Sequence, residues 1–256
     1  MNILIVNDDG ILEPGLKVLA EQLAPLGDIY IVAPETHQSG QGHGITINQP
    51  LYVKDYGRLY GAKKALSVLG KPADCTRIAV GTLGVKFDLC VSGVNSGLNV
   101  GSDVLYSGTV AAATEALILG IKAIAVSGPK KSLHMAEKSI YPLVKYLLEH
   151  QALGDSYILN INYPSSKFDM FIGVKWTQQG LHHHAAKFNQ NADGSYETVY
   201  ELLEREEDMQ SDVMAFRTGY LSITPLFENR THSNLLQNLA NQKQLNTQAI
   251  YDNIIK

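Results

Sequence analysis

Short apolar runs rich in β-branched residues alternate along this chain with longer stretches whose apolar positions recur every three or four residues. The first run, Asn2–Val6 (NILIV), is apolar at every position after Asn2, as a strand covered on both faces must be. Residues 14–26 carry apolar side chains at Leu16, Leu19, Ala20 and Leu23, a helical period that opens on Pro14 and stops before Gly27. The same alternation continues with strands at 28–33 (DIYIVA), 87–92 (FDLCVS) and 121–127 (IKAIAVS), and helices at 72–81, 109–119 and 133–150, the last with a bend expected near Pro142. Residues 45–54 alternate but contain Pro50, which predicts a hairpin protruding from the sheet rather than a central strand.

Beyond residue 155 the rhythm weakens. Residues 157–163 (YILNINY), 170–176 and 219–226 (GYLSITPL) read as strands, and 231–242 as a helix with Leu235, Leu236 and Leu239 on one side. Between them, 177–210 is polar and uneven, carries the Asp193-Gly194 turn signal, and reads as an excursion from the main body. The pattern predicts an α/β fold: a Rossmann-like, three-layer core around a mostly parallel sheet, with β-hairpin protrusions. One domain over 1–256 is expected, with its core at about 1–176 and the excursion and a C-terminal segment at about 177–256.

Composition narrows the class. At 256 residues, 45% hydrophobic and 18% charged, the chain can bury a sizeable core. It has no run of apolar residues long enough to span a bilayer and no signal-like start, so a cytoplasmic protein without a membrane partner is expected. Cys75 and Cys90 lie inside apolar segments without metal-ligand spacing, which predicts buried thiols. A net charge of −4 without any Lys/Arg cluster argues against stable nucleic-acid binding. An anionic ligand must therefore be held by local devices: a cation, a helix N-terminus or a few placed donors.

Such devices lie at the predicted strand ends, where α/β sheets bind ligands. Asp8 and Asp9 follow the first strand and precede Gly10. Either alone would be an ordinary helix cap, but two adjacent carboxylates repel unless a cation neutralises them. After the second strand comes a loop, 35–43, with Ser39, His37, His43 and two glycines; after the 87–92 strand comes 92–101, whose glycines bracket Asn95 and Asn99. Carboxylate, hydroxyl and amide oxygens suit magnesium, manganese or calcium. Ser107, Gly108 and Thr109 open an alanine-rich helix, where free amides could hold a phosphate or the hydroxyls could simply cap. Neither GxxxxGK[ST] nor GxGxxG spacing is present, which argues against a P-loop NTPase or a dinucleotide oxidoreductase.

Taken together, these motifs resemble the survival protein E (SurE) family of metal-dependent 5′/3′-nucleotidases. The resemblance runs through Asn7-Asp-Asp-Gly10, Ala33-Pro-Glu with Gln38-Ser-Gly40, Pro72-Ala-Asp-Cys75, Ser92-Gly-Val-Asn95, Tyr106-Ser-Gly-Thr-Val110, Leu159-Asn-Ile-Asn-Tyr-Pro164 and residues 219–226. It implies one divalent cation per subunit, magnesium or manganese with calcium as a crystallisation substitute, held by Asp8, Asp9, Ser39 and Asn95. It also implies phosphate contacts from Asn99, Ser107, Gly108 and Thr109, nucleoside monophosphates as substrates, and a homodimer or homotetramer built by exchanging C-terminal segments.

The expected reaction is phosphomonoester hydrolysis by a metal-activated water, with Asp8 or Asp9 orienting or deprotonating it and the helix N-terminus meeting the developing charge. His43 is a further candidate to protonate the leaving oxygen. The alternative is a non-catalytic metal- or nucleotide-binding regulator on a flavodoxin-like fold, which needs an aspartate where this chain has Ser92-Gly-Val-Asn95. His182-His183-His184 is expected in an exposed polar loop, since consecutive histidines on a strand would face opposite ways. Trp176 is expected at an oligomer interface.

Overall fold

The computed structural model describes residues 1–181, 183–203, 206–241 and 248, with the backbone alone at 183–186, 200–203 and 240. The chain divides into two compact units, Met1–Leu226 and a C-terminal one beginning at Phe227. The first is built on a nine-stranded sheet. In chain order its elements are β1 (Asn2–Val6), α1 (Pro14–Leu23), β2 (Asp28–Pro34), β3 (Tyr52–Gly57), β4 (Lys64–Leu69), α2 (Pro72–Thr82), β5 (Leu89–Ser96), α3 (Gly108–Ile118), β6 (Lys122–Gly128), α4 (Leu133–Glu149), β7 (Ile158–Asn162), β8 (Gly173–Trp176), β9 (His183–Gln190), β10 (Tyr196–Leu203), α5 (Asp212–Thr218) and β11 (Tyr220–Leu226).

The sheet order is β3-β4-β2-β1-β5-β6-β7-β11-β8. Strands β4 to β7 in that order are all parallel, β3 is antiparallel to β4, and β11 is antiparallel to β7 and parallel to β8. The three-layer, mostly parallel α/β architecture is the expected one. Strand β1 shows why the continuous apolar run was informative. Ile3 and Ile5 enter one core with Leu16, Leu19, Ile140 and Val144 of α1 and α4, whereas Leu4 and Val6 enter the other with Cys75, Ala79, Ala112 and Ala116 of α2 and α3. Burying each such side chain on its own face contributes about 1.5–3 kcal/mol against exposure, so a polar substitution on either face of β1 costs the fold heavily.

The chain leaves β1 towards β2 on one side and later returns to β5 on the other, so the carboxyl ends of β1 and β5 flank the switch point of the sheet. Helix α1 is drawn tightly onto this point: a Cβ on Gly15 would lie 2.2 Å from the Val94 carbonyl oxygen. Strand β5 shifts register between Ser92 and Asn95, which re-aims the residues beyond the bulge.

Several elements depart from the sequence pattern. The protrusion expected at 45–54 is displaced: residues 45–51 form no strand, and the hairpin joins β3 and β4 at the sheet edge. Helix α4 is one continuous element with Pro142 inside it. The 177–210 segment contains a two-stranded antiparallel ribbon, β9 with β10, turning at Asn191 to Ser195 around the Asp193-Gly194 signal. His183 and His184 therefore lie on strand β9 rather than in a loop, and His182 lies outside the described residues. Among the described residues no helix is long and apolar enough to cross a membrane. The C-terminal unit contains α6 (Ser233–Ala240), where the His232 ring accepts from the Leu235 amide; Gln242, the expected end of this helix, lies outside the described residues.

Candidate active site

The carboxylate corner is shaped by Asn7. Its side chain donates to the Gly10 carbonyl at 2.9 Å and accepts from the Gly10 amide at 3.2 Å, closing a tight turn around Asp8 and Asp9. Gly10 has φ +124, a conformation that L side chains rarely adopt. This turn buries Asp8 to 3% exposure and Asp9 to 8%. The Gln38 amide donates to the Asp8 carbonyl at 2.7 Å and so anchors the loop carrying Ser39. From β5, the Ser96 amide donates to Asp9 Oδ2 at 3.0 Å.

Asp8, Ser39, Asn95, Asn99 and Ser107 line one cleft of about 670 Å3, so the structure gathers these predicted residues from four separate segments. Ser39 stands on its exposed side. Asp9 lines a smaller adjoining cavity of about 40 Å3, which shares Asn95 and Ser96 with the cleft. His43 does not line the cleft; its Nε2 is 2.8 Å from Glu115, which also accepts from Arg77 at 3.1 Å. That pairing ties the end of the Ser39 loop to α3.

Helix α3 begins against Asp8. A Cβ on Gly108 would meet Asp8 Cβ and Pro72 Cγ, each at 2.8 Å, so only glycine lets the helix approach this closely. The Ser107 hydroxyl accepts from the Val110 amide at 3.0 Å and is the helix cap. The Thr109 hydroxyl donates to Asp8 Oδ1 at 2.5 Å and is fully buried. The Thr109 hydroxyl hydrogen is thus committed to Asp8, whereas the Ser107 hydroxyl only accepts and keeps its hydrogen at the cleft that Ser107 lines; the amides of Gly108 and Thr109, first in the helix, have no intrahelical acceptors.

Burial pushes the Asp8 carboxyl above its ordinary value; the Thr109 hydroxyl opposes this, and the charge of Asp9 adds to it. Among the described residues the one ion-pair partner of the two carboxylates is exposed His37, whose Nδ1 is 3.3 Å from Asp9. Among the described residues, the corner therefore concentrates two carboxylates that no Lys or Arg side chain pairs with. Among the described residues no three His, Cys, Asp or Glu side chains converge. The donors available are two carboxylates, a hydroxyl and the Asn95 amide oxygen, whose Nδ2 is already given to the Gly97 carbonyl at 3.1 Å. An all-oxygen set of this charge fits a hard divalent cation.

Several residues that shape the site were not predicted. Asn160 and Asn162 reach Asn99 from β7. Asp212, at the start of α5, accepts from the amides of Gly101 and Gly180, while Gln179 donates to the Gly101 carbonyl at 2.8 Å. Their partners lie 32 to 111 residues away, a distance at which only the burial of a polar residue in an apolar strand leaves a trace in sequence.

Comparison with known proteins places the chain in a family. Residues 3–186 match the family model described as survival protein SurE. The chain is similar to the 5′-nucleotidase SurE of Alkaliphilus metalliredigens, with 39% identity over 94% of this chain and 98% of that protein. It is also similar to the 5′-nucleotidase SurE of Legionella pneumophila strain Lens, with 38% identity over 94% and 96%. The crystal structure of the SurE protein from Aquifex aeolicus superposes with a TM-score of 0.81 at 31% identity, covering 94% of this chain and 98% of that one. The chain belongs to the survival protein SurE family.

Proposed function

We propose that this chain is a metal-dependent phosphomonoesterase that hydrolyses nucleoside 5′- and 3′-monophosphates to nucleoside and phosphate. The observation that carries the reading is the pair of buried carboxylates, with no Lys or Arg partner among the described residues and only exposed His37 beside Asp9, at the N-terminus of α3. Asp8, Asp9, Ser39 and Asn95 would hold one magnesium or manganese ion. Bound there, the cation supplies positive charge to polarise a phosphoryl group and acidify a water.

The remaining work belongs to the chain. Thr109 keeps Asp8 in place through its hydroxyl, and Ser96 does the same for Asp9 through its amide. Asp8 or Asp9 orients the attacking water and accepts its proton. The amides of Gly108 and Thr109 and the side chain of Asn99 meet the phosphoryl oxygens as charge develops, fixed donors that need no reorganisation during reaction. The regulator reading is not favoured, because relatives matched along 94% of the chain carry the name 5′-nucleotidase. The exposed side chains of Trp176, Phe188 and Tyr196 support a homodimer or homotetramer, to which the segment from 177 onwards would contribute.

Phosphate release from a panel of 5′ and 3′ nucleoside monophosphates tests the reading, using protein stripped with EDTA and resupplied with magnesium, manganese or calcium. Turnover restored by a cation is expected. No turnover with any cation, despite bound nucleotide, would overturn it.

A further inference from the structure

The loop that carries Asn99 lies after β5 and before α3 and belongs to neither. Asn99 itself is nevertheless buried, and buried main-chain groups need partners. At Asn99 every partner is a side chain from β6 or β7. The Asn99 amide donates to Asn162 Oδ1 at 2.9 Å, and its carbonyl accepts from Asn160 Nδ2 at 2.8 Å and Asn162 Nδ2 at 3.1 Å. Its own Nδ2 donates to the Ser127 hydroxyl at 2.7 Å, which uses one of the two hydrogens on that nitrogen.

Asn160, Asn162 and Ser127 are each completely buried. The two asparagines alternate with Leu159 and Ile161 of one apolar core and follow Ile158 of the other on their own face, so that face turns polar towards its carboxyl end where the fold alone would be served by leucine or valine. Asn160 is the more telling of the two, because among the described residues its Oδ1 has no hydrogen-bond partner. A residue that leaves a buried acceptor unpaired is retained for what its donor does. Ser127 stands beside Asn162 in the register of β6 with β7, which puts all three groups at the carboxyl edge of the sheet next to the cleft.

We propose that Asn160, Asn162 and Ser127 are positioning residues that aim Asn99 at the substrate phosphate. The proposal rests on the reading above that Asn99 is a phosphate contact. Asn162 grips the Asn99 peptide from both sides, Asn160 shares its carbonyl, and Ser127 fixes the rotation of its side-chain amide.

The test is a double-variant cycle of Asn99→Ala and Asn162→Ala in the full chain, read by kcat/KM and, separately, by calorimetric binding of inorganic phosphate. If Asn162 acts through Asn99, Asn162→Ala lowers kcat/KM by on the order of 10- to 100-fold, as misplaced catalytic groups do. It also weakens phosphate binding, and adding it to Asn99→Ala costs nothing further. Asn160→Leu gives a second reading that does not depend on how Asn162→Ala folds. It removes the donor and the unpaired acceptor together, so kcat/KM is expected to fall with no loss of thermal stability. Losses that multiply in the double variant, or wild-type phosphate affinity in both Asn162→Ala and Asn160→Leu, would overturn the proposal. Wild-type phosphate affinity in Asn99→Ala would remove Asn99 from the phosphate site itself and the proposal with it.

Discussion

Replacing Thr109 with valine deletes one hydroxyl and almost no volume, at a position that is fully buried two residues into α3. The hydroxyl donates to Asp8 Oδ1 at 2.5 Å and lowers the carboxyl's pKa against the burial that raises it. A hydrogen bond to a charged group contributes about 1.5–3 kcal/mol, and more is at stake where the acceptor is left buried. At about 1.4 kcal/mol for each factor of ten, kcat/KM should fall by roughly 10- to 100-fold. The assay is steady-state phosphate release at saturating manganese, with the manganese activation curve recorded for each variant and a thermal melt to establish folding. Thr109→Ser restores the donor and should recover most of the loss. A Thr109→Val enzyme with wild-type kcat/KM and an unchanged activation curve would refute the claim that Asp8 depends on this partner; a serine variant as damaged as the valine would point to packing instead.

Two further perturbations address the framework. Gly108→Ala places a methyl group 2.8 Å from Asp8 Cβ and Pro72 Cγ, so α3 and Asp8 must separate; a penalty of about 1–3 kcal/mol is expected in stability, accompanied by lost activity. Melting temperature and kcat/KM report the two effects, and an alanine variant normal in both would mean that the helix tolerates retreat. The Asp212 carboxyl is pushed up to about 6 by burial, against the lowering effect of the Gly180, Gly101 and Val213 amides. A folded-state value above the ordinary 3.8 means that the stability linked to its protonation is full below about 4 and is lost as pH rises through about 6, a change of about 3 kcal/mol. Asp212→Asn should flatten that part of the stability profile, as measured by urea unfolding at pH 4 to 7; a variant profile parallel to that of the parent would show that Asp212 titrates normally.

The regular part of the fold was legible because buried parallel strands write themselves as unbroken apolar runs. Strand β1 matches its predicted bounds, and β6 is offset by one residue at each end. What was lost has a physical cause in each case. Strand β4 is a short run that opens on Lys64 after Lys63 and ends before Gly70, and Pro50 is the more conspicuous signal for a hairpin. Helix α5 spans only Asp212–Thr218, less than two full helical periods, inside a segment without strong periodicity. Among the described residues, strands β9 and β10 form a two-stranded sheet of their own, apart from the nine-stranded sheet whose burial writes the regular patterns.

The site divides in the same way. Asp8 and Asp9 could be found because charge at the end of an apolar strand needs an explanation. The roles of Thr109, Asn160 and Asn162 could not, since each depends on a partner at least 61 residues distant that only the folded sheet brings near. Thr109 was expected at the phosphate; the contact of its hydroxyl that the fold supplies is the one to Asp8 Oδ1.

The central claim is that the two buried carboxylates hold a cation that the reaction needs. Manganese binding and phosphate release from a nucleoside 5′-monophosphate, measured side by side for the parent chain and for Asp8→Asn, test it most directly. The account predicts that the parent binds manganese and turns over, and that Asp8→Asn remains folded but loses both. Turnover at the parental rate in Asp8→Asn, or in the EDTA-stripped parent, would contradict it.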